Sequence, residues 1–201
     1  MGCAPSSDLG AAGETPDTVD DPFPAPPSIK SQQFYSRVVF LDVDGVLHTG
    51  HDMSVGNLFR KDCMENLREI VNGPLASVGI VLSSTWRSTQ RQIDDVNAQL
   101  ERHSISELVG ATALYGFKSR SDEILAWLEA HPHVTAFVAL DDMDLSRPHG
   151  DRFAQHFVHV DVNVALTKVD AERALTILRR RLDHNSLPRA LTCDPHQPAL
   201  S

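Results

Sequence analysis

The chain has 201 residues, a length that suits one domain rather than two, and its 27 acidic side chains against 18 Lys and Arg give a formal net charge of -9. That balance argues against a nucleic-acid binder driven by a global basic surface. Three cysteines (Cys3, Cys63 and Cys193) form an odd set without metal-ligand spacing. They suit reduced thiols in a cytoplasmic setting, and no run approaches the roughly 18 apolar residues that span a bilayer.

Residues 1–31 are rich in Pro, Gly, Ser and Asp and show no apolar period. Such a segment cannot bury enough surface to offset chain entropy, so a disordered leader is expected there. Its start, Met1-Gly2-Cys3-Ala4-Pro5-Ser6, fits the M-G-x-x-x-[ST] acylation pattern, with Gly2 as myristate acceptor and Cys3 beside it for palmitate. Two acyl chains would tether the domain to a membrane. The leader is acidic rather than polybasic, which weighs against that reading.

The first predicted strand, Val38-Val39-Phe40-Leu41, stops at Asp42-Val43-Asp44-Gly45. Side chains alternate along a strand, so both carboxylates share one face if strand geometry continues, and glycine permits a sharp exit. Neighbouring carboxylates repel, and a divalent cation or a shared proton resolves the conflict. A helix is predicted over 59–71 through Leu58, Met64, Leu67, Ile70 and Val71. A second strand, 78–82, ends in Ser83-Ser84-Thr85-Trp86-Arg87, where hydroxyls and backbone N–H groups at a helix start make an anion site. A helix over 90–103 and a weaker strand within 107–115 follow.

Lys118 or Arg120 then opens a helical stretch over 121–130. The next strand begins at Ala136 and ends in Asp141-Asp142-Met143-Asp144, a strand over 156–160 follows, and a helix covers 170–182. This βαβα alternation predicts an α/β fold, a doubly wound parallel sheet with helices on both faces, over 32–186. The proline-bearing tail, 187–201, is expected to be disordered. In such a sheet the carboxyl ends of the strands gather along one edge, where ligands bind. Acid pair, hydroxyl, base and second acid pair would therefore converge.

These four motifs, in this order, resemble the haloacid dehalogenase (HAD) superfamily. The runs FLDVDGVL, IVLSSTWR, RSDEILAWL, FVALDDMD and ALTKVDAERALTIL are similar to a small branch that includes HAD domains attached to RNA-repair proteins. The resemblance covers about residues 38–181. It implies a Rossmann-like HAD domain with Asp42 as nucleophile, forming an aspartyl-phosphate, and Asp44 as general acid and base. It implies Mg²⁺ held by Asp42, the backbone carbonyl of Asp44 and Asp142, with Asp141 direct or through water. Oxygen-only ligands suit Mg²⁺ over zinc.

Ser83 would hydrogen-bond the transferring phosphoryl group. Ser84 is the competing register, with helix capping left to Ser84 or Thr85. Arg120 is preferred over Lys118 as the basic residue. Trp86 and Arg87 are candidate substrate contacts at the rim, with a packed indole beside a surface arginine as the bland alternative. Asp144 is an outer ligand or a helix-start acid, Cys63 a packed thiol, and none of the ten histidines has ligand spacing.

The gaps from Asp42 to Ser83 and from Ser83 to Lys118 are too short to hold a cap domain. An open site favours a bulky phosphoester, a phosphoprotein before a nucleic-acid end. The competing reading is a catalytically idle HAD domain serving as a binding or membrane-tethered module. Dehalogenation is disfavoured, since it needs neither a metal nor the second acid of the first motif.

Overall fold

The computed structural model describes residues 35–75, 77–114, 119–183 and 187. Five strands make one sheet: β1 (Arg37–Leu41), β2 (Val78–Leu82), β3 (Gly110–Ala111), β4 (Ala136–Asp141) and β5 (Phe157–His159). The order is β3-β2-β1-β4-β5, and every pairing is parallel. The near-continuous apolar runs of β1, β2 and β4 are explained by cover on both faces.

Alternation along β1 sorts the core into two layers. Val39 and Leu41 pack with residues of α2 (Lys61–Val71), α3 (Gln90–Arg102) and α6 (Lys168–Leu178). Val38 and Phe40 pack on the opposite face with α4 (Arg120–Ala130) and α5 (Asp151–Ala154). Met64, Leu67 and Ile70 of α2 are wholly buried, each such side chain stabilising the fold by about 1.5–3 kcal/mol. Trp127 of α4 sets its ring edge-on to Phe40 at 5.3 Å.

Local caps set the helix starts. Ser119 and Asp122 form a capping box at α4, which places Arg120 at the first helical position. Thr167 and Asp170 do the same at α6, and Thr49 and Asp52 at the short α1 (Gly50–Ser54).

Several boundaries differ from expectation. α2 starts at Lys61, because Phe59 adopts φ +55° and breaks any helix there. Leu58 is 40% exposed and lies off the apolar face, whereas Phe59 is buried. α6 begins earlier, at its Thr167 cap, and stops at Leu178. Leu182 is buried beyond the helix, with its N–H donating to the Thr135 carbonyl at 2.7 Å. The strand within 107–115 shrinks to two residues. No helix among the described residues is long and apolar enough to cross a membrane. Only α1, α2, a single 3-10 turn (Thr85–Ser88) and α3 occupy the described segments from β1 to β3, so no cap domain covers the sheet edge there.

Candidate active site

β1 and β4 lie side by side, and the strand order runs outward from them in opposite directions. The crevice at their carboxyl ends is the switch point where ligands of such sheets bind. The ladder continues one step past the strands. Asp42 N–H donates to the Leu140 carbonyl at 3.0 Å, and Ser83 N–H donates to the Leu41 carbonyl at 2.8 Å. These bonds fix the backbones of Asp42 and Ser83 against neighbouring strands.

The carboxylates of Asp42, Asp141 and Asp142 gather there, with one oxygen of each within 4.8 Å of the others. Asp42 Oδ1 accepts from Val43 N–H at 2.9 Å. Arg120 Nη1 donates to Asp42 Oδ2 at 2.7 Å and to Asp141 Oδ2 at 2.6 Å. Burial raises the Asp141 pKa, Asp42 adds to the rise, and Arg120 opposes it. Burial works against the Arg120 charge, but Asp141 and Asp42 outweigh it and raise its pKa. The Asp142 pKa is raised by burial and then by Asp42.

Three carboxylates against one guanidinium leave an excess of negative charge in a largely dry pocket, and their donors are all hard oxygens. Both properties fit a hard divalent cation.

The two serines after β2 have different surroundings. Ser83 is 2% exposed, and its buried Oγ has no hydrogen-bond partner among the described residues. Ser84 Oγ accepts from Trp86 N–H and caps the 3-10 turn. An unpartnered buried hydroxyl costs free energy, so Ser83 has donor capacity in reserve for a ligand.

Asp44 faces other partners. Its Oδ1 accepts from Trp86 Nε1 at 2.9 Å and lies 3.0 Å from His48 Nε2. The His48 bond lowers the Asp44 pKa most; burial opposes this, and the Trp86 bond adds to the lowering. The Asp44 carboxylate is not among the three gathered oxygens.

Arg87 corrects the expectation of a rim contact. It is 5% exposed, forms an ion pair with Glu123 of α4, and donates from Nη1 to the Ser84 carbonyl at 2.5 Å. The 3-10 turn faces Arg87 inward, where it braces α4 against the segment after β2. Trp86 is half-buried, with its indole committed to Asp44. Asp144 is exposed and accepts from Ser146 and Arg147, outside the acid cluster. Lys118, Gly2 and Cys3 lie outside the described residues. His48 and Glu123 were missed by sequence reasoning. His48 stands four residues after Asp44, but nothing in that spacing marks a buried imidazole.

A family model described as the HAD domain in Swiss Army Knife RNA repair proteins matches residues 38–171. No curated protein and no solved structure matches the chain.

Proposed function

The chain belongs to the family of HAD domains of Swiss Army Knife RNA repair proteins, and from that premise we propose an Mg²⁺-dependent phosphohydrolase that works through an aspartyl-phosphate on Asp42. The supporting observation is the cluster of buried Asp42 and Asp141 with half-buried Asp142 at the switch point, with Arg120 bonded to the two buried acids. Asp42, Asp142 and the Asp44 carbonyl would hold the metal, with Asp141 direct or through water. When bound, the cation offsets the charge between Asp42 and the phosphoryl oxygens.

A carboxylate oxygen of Asp42 attacks phosphorus in line, and the bond from phosphorus to the leaving oxygen breaks. Asp44 gives a proton to that oxygen. His48 and Trp86 favour the ionised form of Asp44 in the free chain. Asp44 therefore has to take up a proton before the first step begins, and it recovers one from water in the second. In the second step water attacks the aspartyl-phosphate and passes a proton to Asp44. The acyl-phosphate P–O bond breaks, releasing phosphate and restoring the Asp42 carboxylate. Arg120 and Ser83 bind the equatorial oxygens.

The uncapped edge favours a bulky, macromolecular phosphoester, and the net charge of -9 places a phosphoprotein ahead of a nucleic acid. Phosphate release from phosphopeptides, nucleotides and 5′- and 3′-phosphorylated oligonucleotides, with and without Mg²⁺, tests this reading. Mg²⁺-dependent release from at least one class is expected. No release from any class contradicts it.

A further inference from the structure

Asp44 Oδ1 meets two aromatic side chains, His48 and Trp86, and a third, Phe59, packs against both; the three come from separate segments. His48 lies in the turn after β1, Phe59 in the lead into α2, and Trp86 in the 3-10 turn after β2. A carboxylate oxygen has two lone-pair directions, and Asp44 Oδ1 uses both, one for the Trp86 indole N–H and one for His48.

The tautomer of His48 follows from its other nitrogen. Phe59 N–H donates to His48 Nδ1 at 3.4 Å, so Nδ1 is the acceptor and the ring proton sits on Nε2, facing Asp44. His48 is wholly buried, so bulk solvent does not reach that proton.

Phe59 supports both donors. Its ring stands edge-on to His48 at 5.9 Å and to Trp86 at 5.3 Å. Its backbone sits at φ +55°, a region bulky residues rarely enter, and the next residue is tied down by Arg60 N–H donating to the Leu47 carbonyl at 2.8 Å. A strained aromatic residue kept between the two rings that grip one carboxylate points to a positioning role. No hydrogen bond reaches Asp44 Oδ2 among the described residues, and the side chain is 35% exposed.

We infer that His48 and Trp86, braced by Phe59, clamp Asp44 by Oδ1, so that Oδ2 is the oxygen that hands the proton to the leaving group and takes it back from water. This rests on the phosphohydrolase reading and extends it to three positioning residues. With Oδ1 filled, the carboxylate cannot rotate, and Oδ2 is aimed before substrate arrives. The clamp acts only on proton transfer, so it matters most for a leaving group that needs the proton.

The test compares kcat/KM of the full chain for an alkyl phosphate and for p-nitrophenyl phosphate, whose phenolate leaves without protonation. Trp86→Phe keeps an aromatic ring against Phe59 and removes the indole N–H. Its loss on the alkyl ester is expected to exceed its loss on the nitrophenyl ester by about tenfold or more, tenfold being near the lower end of what one hydrogen bond to a charged group contributes. His48→Leu should show the same selective loss, and His48→Gln, which still donates, should recover part of it. Equal losses on both esters, or none on either, overturn the clamp while leaving the phosphohydrolase standing. A wild type that releases phosphate from neither ester and from none of the phosphopeptides, nucleotides or oligonucleotides contradicts that underlying reading, and this inference with it. The indole ¹H–¹⁵N resonance of Trp86, one of two tryptophans, is a readout free of turnover. Asp44→Ala is expected to shift it strongly, and an unmoved resonance overturns the clamp.

Discussion

A Cβ added at Gly45 would lie 2.7 Å from the carboxylate carbon and Oδ2 of Asp142. The turn after β1 and the acid that follows β4 can therefore meet only because residue 45 lacks a side chain. Its φ of +78° adds a second reason for glycine. Gly45→Ala is expected to cost about 1–2 kcal/mol of stability and to push Asp142 out of the cluster. The Mg²⁺ concentration for half-maximal activity should rise sharply while circular dichroism still reports a folded chain. An unchanged Mg²⁺ requirement would separate Asp142 from the metal.

Ser83 offers a split between stability and activity. Its buried hydroxyl has no partner among the described residues, so Ser83→Ala removes an unsatisfied group and is expected to leave the melting temperature equal or slightly higher. Phosphate binding should weaken about tenfold, seen in KM or in competition by inorganic phosphate. A marked loss of stability with normal phosphate affinity would make Ser83 a structural residue.

Arg120 shares one nitrogen between Asp42 and Asp141. Arg120→Met leaves two buried carboxylates facing one another and is expected to destabilise the metal-free chain by roughly 3 kcal/mol. The missing positive charge should also let the cluster bind Mg²⁺ more tightly while turnover falls. Calorimetric titration checks the sign, and weaker Mg²⁺ binding in the variant would contradict the charge arrangement.

Cys63 is wholly buried in α2, and burial pushes its thiol pKa up to about 11. The thiolate is the reactive form, and it becomes populated only as pH approaches that value. Iodoacetamide at pH 8 is expected to leave Cys63 unmodified in the native chain and to alkylate it after denaturation, read by peptide mass spectrometry. Rapid native labelling at Cys63 would mean that α2 opens readily.

The sheet was legible because a covered parallel strand must be apolar along its whole length, and β1, β2 and β4 each end abruptly in charged or hydroxyl residues. The meeting of Asp42, Asp141 and Asp142 followed from that, since strand ends share one edge, and Arg120 joins them from the start of α4. β3 was faint because two residues carry no period. The start of α2 was misread because apolar spacing runs through Leu58 and Phe59, and only the tertiary fit of the Phe59 ring against His48 and Trp86 reveals the broken helix. Arg87 looked like a rim cation because its partner, Glu123, is 36 residues away. The clamp on Asp44 was illegible for the same reason, being built from residues with no shared spacing.

The central claim is that phosphate passes through Asp42. Rapid acid quench of the full chain turning over a phosphate ester with Mg²⁺, followed by peptide mass spectrometry, tests it most directly. The expected result is one phosphoryl group on the peptide containing Asp42, absent without Mg²⁺ and absent in an inactive Asp42→Asn variant. Steady turnover with no covalent phosphate at Asp42, together with near-wild-type rates in Asp42→Asn, would contradict it.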